Sequence, residues 1–133
     1  MEFAAGTFEV KLDGLEPYNQ EAGAGIGRQS IEKRYAGDLE ATGRGEMISA
    51  ATRAKGSGAY VAFERVTGVL RGRRGSFTLQ HCATLNRGVP QLTVTVVPQS
   101  GSGELAGLSG EMEILVADGV HSYEFDYEIV ERE

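Results

Sequence analysis

The chain has 133 residues, carries 13 Lys+Arg against 19 Asp+Glu, and has a net charge of −6. A chain of this length is most simply one domain, 1–133, large enough to bury a real core. Its acidic balance argues against nucleic acid or an anionic membrane as partner, because phosphate binding wants a basic face. The single cysteine, Cys82, rules out an intrachain disulfide, and two histidines with one thiol cannot furnish a structural zinc set. No metal and no cofactor are expected. No apolar run approaches the roughly 20 residues of a membrane span, and "MEFAAGTFEV" lacks the basic and then apolar regions of a secretory signal. A reducing, cytoplasmic location fits these features.

In chain order, residues 3–12 alternate after Gly6, with Phe8, Val10 and Leu12 on one side. Residues 13–27, "DGLEPYNQEAGAGIG", read as a long loop. Its "GAGIG" has no preceding strand and no following Lys-Ser/Thr, so it is not a phosphate loop. Residues 28–43 and 44–58 read as two strands joined near Thr42-Gly43, and 59–70 and 76–85 form the clearest hairpin. A β-branched strand follows over 89–98. The stretch "GELAGLSGEM" holds an irregular turn, and strands 111–118 and 121–130 close the chain around Gly119. In the last strand Tyr123, Phe125, Tyr127 and Ile129 share one face, opposite Glu124, Asp126 and Glu128. Eight amphipathic antiparallel strands predict an all-β barrel or a two-sheet sandwich, and the recurring Gly-x-Leu corners favour the barrel.

One histidine stands on an apolar face. In "GSFTLQH", Phe77, Leu79 and His81 alternate with Ser76, Thr78 and Gln80. A type II′ turn at Gly72-Arg73 would set Glu64 directly opposite His81 on that face, with Gly68 opposite Phe77. A buried carboxylate and imidazole can satisfy each other structurally or form a tuned acid/base dyad. Glu64 and His81 are therefore the candidate catalytic residues, with Tyr60 and Gln80 as candidate ligand-binding neighbours. Cys82 lies on the polar side, where it reads as an inert thiol, and no Gly-x-Ser-x-Gly elbow supports a serine hydrolase.

The stretches "AYVAFERVTGVLRGRRGSFTLQH", "TVVPQSGSGELAGLSGE" and "HSYEFDYEI" resemble a bacterial family of unknown function with an allene oxide cyclase-like β-barrel fold. Ser102 stands where that likeness leads one to expect threonine. The resemblance implies an eight-stranded antiparallel β-barrel that associates as a homodimer or other small homo-oligomer. It implies no established reaction, and no motif here matches the catalytic positions of the plant cyclases, so none of their residues is carried over. The expected function is binding of a small, largely apolar ligand, extending to a cyclase- or isomerase-like activity. The alternative is a filled barrel serving as a structural or protein-interaction module without a ligand.

Overall fold

A computed structural model describes residues 1–130. Nine strands follow one another: β1 (Glu2–Leu15), β2 (Ile26–Gly37), β3 (Leu39–Ala51), β4 (Gly58–Leu70), β5 (Arg73–Asn86), β6 (Val89–Val96), β7 (Ser102–Gly103), β8 (Leu108–Ala117) and β9 (Val120–Ile129). All pairings are antiparallel. The order β4-β3-β2-β1-β9-β8-β6-β5, with β4 pairing β5, closes eight of the strands into a barrel. The two-residue β7 pairs with the start of β5 at Gly75 and Ser76, beyond the stretch that β6 pairs. Closure leaves no free edge along most of the sheet, which removes the hazard an open sheet of this size would carry.

Local chemistry explains the tight corners. The β4–β5, β5–β6 and β8–β9 hairpins each turn on an X-Gly pair with both residues at positive φ: Arg71-Gly72 (44°, 82°), Arg87-Gly88 (50°, 84°) and Asp118-Gly119 (52°, 76°). Two positive φ values are the signature of type I′, whose twist matches that of the flanking strands. The β4–β5 turn therefore falls one residue earlier than the expected Gly72-Arg73. Glu64 pairs with Leu79, and His81 pairs with Ala62. Because the slip moves both strands' partners by two positions in all, every side chain keeps its predicted face.

The β2–β3 corner also differs from expectation. It lies at Gly37-Asp38 rather than Thr42-Gly43. Gly37 adopts φ 104°, and the Asp38 carboxylate anchors the corner by accepting from Ala5 N at 2.9 Å and from Arg71 Nη2 at 3.1 Å. Gly43 instead sits mid-strand, opposite Lys33 and Val66.

The interior is filled unevenly. Toward the end marked by the Gly37-Asp38 and Arg71-Gly72 corners, Leu39, Leu70, Phe77, Phe125, Tyr127 and Leu108 are buried. The segment 97–107 folds across this end and inserts Leu105, which is fully buried. Ser102 of β7 is the ladder partner of Ser76 in β5, and their hydroxyls lie 2.5 Å apart. Tyr123 of β9 reaches across β1 to the β2–β3 corner: its hydroxyl donates to Ala36 O and accepts from Leu39 N, each at 2.9 Å. The other end, where β1 runs into the loop 16–25, has no such plug.

Truncating Leu105 to Ala removes the plug's apolar contact and leaves a void in a packed region. The expected cost is about 2–5 kcal/mol. Urea unfolding should show it as a lower midpoint with an unaltered slope.

Candidate functional site

Midway along the barrel, four side chains from three strands meet around one carboxylate. Glu64 of β4 is completely buried. Its Oε1 lies 2.9 Å from His81 Nε2 of β5 and 3.1 Å from Lys33 Nζ of β2, while the Tyr35 hydroxyl of β2 donates to Oε2 at 2.5 Å. Strand β3 stands between β2 and β4, yet Lys33 and Tyr35 reach Glu64 across it. They can do so because β3 presents Gly43 there: a Cβ at that position would overlap Glu64 Oε2. The missing side chain is the space the cluster occupies.

The charges are arranged to hold Glu64 ionised. Burial pushes its carboxyl up, but the His81 hydrogen bond, the Lys33 ammonium and the Tyr35 hydroxyl outweigh burial and leave it below its ordinary 4.5. Tyr35 is pushed well above 10.0, first by burial and then by the negative charge of Glu64, so its hydroxyl stays a donor. Lys33 is further held by the faces of Phe8 and Tyr35, with Nζ 4.8 and 5.8 Å from the ring centroids.

Above this cluster, toward the unplugged end, the barrel walls line a partly open cavity of about 290 Å³. Lys33 and His81 line its polar part. Its apolar walls include Phe8, Ile31, Ala62 and Ile114, and Leu12, Met47, Leu92 and Val116 belong to the same lining nearer the strand ends. Tyr60 lines it as well, and burial raises its phenol above 10.0. His121 completes the lining, its ring 5.2 Å from that of Phe8. Both histidines of the chain thus border one cavity. Among the described residues, no group of three or more His, Cys, Asp or Glu side chains could hold a metal ion.

A family model described as a protein of unknown function, DUF3224, matches residues 4–127. The chain belongs to the DUF3224 family. A crystal structure of a DUF3224 protein of unknown function from Shewanella oneidensis MR-1 is similar to it, with 44% identity, 99% of each chain covered and a TM-score of 0.95. A comparison with curated proteins returns no match.

Within this DUF3224 barrel, the residues read from the sequence are placed as follows. Glu64 and His81 are in contact, diagonally rather than as a direct cross-strand pair. Tyr60 shares the cavity with His81. Gln80 does not: one position from an inward residue, it is exposed on the outer face, opposite Phe63 of β4. Cys82 is exposed on the same outer side. Sequence reasoning missed Lys33, Tyr35 and His121. A signal existed for each, since Ile31, Lys33 and Tyr35 alternate inward along β2, and His121 lies two residues before Tyr123 on the inner face of β9.

Replacing Glu64 by Gln leaves the Lys33 ammonium buried without its counter-charge. The expected destabilisation is about 3–5 kcal/mol. A lowered folded-state pKa contributes stability that is present above the unfolded value of 4.5 and is lost as pH falls through the folded value. Melting temperatures followed from neutral to acid pH should therefore converge between wild type and Glu64→Gln.

Proposed function

We propose that this protein binds a small, largely apolar ligand inside the barrel, with the ligand's polar group set against Lys33 and His81. The observation that carries the reading is the cavity itself: apolar walls that end on a few fixed polar groups, as small-molecule sites typically do. A volume of about 290 Å³ sits near the lower bound of such sites and suits a ligand of one ring or a short chain. A cyclase- or isomerase-like activity would draw its proton transfer from the Glu64–His81 dyad, which has the hydrogen-bonded geometry that acid/base catalysis requires. The allene oxide cyclase-like character inferred from the sequence supports the same reading, since those enzymes work within an apolar barrel.

The test uses 4-ethylanisole, an apolar probe of suitable size, followed by ¹H–¹⁵N spectra. Saturable shifts at Phe8, Ala62 and Ile114 are expected, and Ala62→Phe, which fills the cavity, should abolish them while the barrel stays folded. Shifts that are unaffected by Ala62→Phe would remove the binding site from the interior.

A second reading, self-association as an interaction module, is favoured by the outer face. Ile48 and Val61 are paired across β3 and β4 and stand 51% and 49% exposed, and Phe63 beside them is 55% exposed. Such neighbouring apolar residues suit a second copy of the chain. Light scattering at micromolar concentration should report a dimer that Val61→Lys converts to monomer; a wild-type monomer would count against it.

A further inference from the structure

We infer that the ligand carries a hydrogen-bond-donating head, a hydroxyl, and that His81 Nδ1 is the atom that receives it. The inference rests on the ligand-binding reading and adds the class of ligand and the polarity of the contact.

The polarity follows from how the cluster is saturated. Glu64 Oε1 takes Lys33 and His81, and Oε2 takes Tyr35. An ionised carboxylate only accepts, so the proton between Glu64 and His81 belongs to His81 Nε2. In the neutral imidazole, Nδ1 is then the ring's lone-pair acceptor. Among the described residues no hydrogen bond reaches Nδ1, although His81 is only 3% exposed. Among the described residues no fully buried side-chain nitrogen or oxygen lacks a partner, so Nδ1 must touch accessible space, and the space His81 borders is the cavity. A nearly buried acceptor with no protein donor is left for whatever enters.

Lys33 borders the same cavity as a donor, at a different point. Its ammonium lies on Oε1 beside Nε2, whereas Nδ1 points out of the far side of the ring, away from Glu64 and Lys33. A hydroxyl serves Nδ1, its hydrogen going to that atom. A carboxylate or an ether offers oxygen alone. Glu64, with both oxygens engaged and Gly43 packed against it, does not touch the ligand; it is a positioning residue that fixes the tautomer and orientation of His81.

Two measurements test this on the intact chain. First, ¹⁵N chemical shifts and long-range ¹H–¹⁵N couplings of the His81 ring, recorded where the imidazole is neutral, should show a protonated Nε2 and a bare Nδ1. A protonated Nδ1 would overturn the inference without any ligand present. Second, 4-ethylphenol should bind at least about tenfold more tightly than its methyl ether, 4-ethylanisole, since only the phenol can donate. His81→Phe, if folded, should bring that ratio to about one. Equal binding of the two probes by wild type would overturn the donor-head inference while leaving the cavity reading intact. Absence of binding by both would overturn the two together.

Discussion

One buried negative charge organises the middle of this barrel. A carboxylate taken out of water is costly unless its charge is compensated and its oxygens are hydrogen-bonded. Glu64 meets both conditions with groups from two other strands: Lys33 and Tyr35 from β2, and His81 from β5. Because the partners come from strands on either side of β3 and β4, the cluster holds one arrangement of the wall rather than stabilising a single hairpin. Gly43 belongs to the same unit, since a side chain there and the Glu64 carboxylate cannot coexist.

That cluster also divides the interior. On one side lie stacked aromatics, with Phe77 and Phe125 rings 5.9 Å apart and Phe125 and Tyr127 rings 5.2 Å apart, sealed by Leu105. On the other side the walls remain apolar but leave space. An eight-stranded barrel can be filled by side chains or can leave room for one small ligand; here one half is filled and the other half keeps its space. The polar cluster stands at the boundary, where a group entering the cavity meets Lys33 and His81 without reaching Glu64.

Much of this was legible in the residues themselves. Period-two alternation placed Phe77, Leu79 and His81 inside and Gln80 and Cys82 outside, and the eight barrel strands follow from the same signal. The Glu64–His81 contact survived an error in the turn because moving from Gly72-Arg73 to Arg71-Gly72 preserves which residues face inward; it changes a direct pair into a diagonal one. That Lys33 and Tyr35, inward by the same alternation, meet Glu64 was beyond reach for a physical reason. Their contact with Glu64 skips a strand and depends on Gly43 being a gap in a wall, whereas glycine in a sequence more readily signals a corner. Placing the β2–β3 corner at Thr42-Gly43 hid that gap. The corner at Gly37-Asp38 is set by long-range partners, Ala5 and Arg71, which no local pattern announces.

The seam between β6 and β8 has its own consequence for motion. These neighbours share a single ladder pair, Thr95 with Glu111, whereas β4 and β5 are paired from Gly58–Leu85 to Leu70–Arg73. Few cross-strand bonds mean a low free energy of local opening. Leu92 of β6 and Ile114 of β8, on either side of that seam, both line the cavity. The wall that breathes most easily is thus a wall of the cavity, and amide protons along it exchange sooner than those of the β3–β4–β5 wall that carries Glu64.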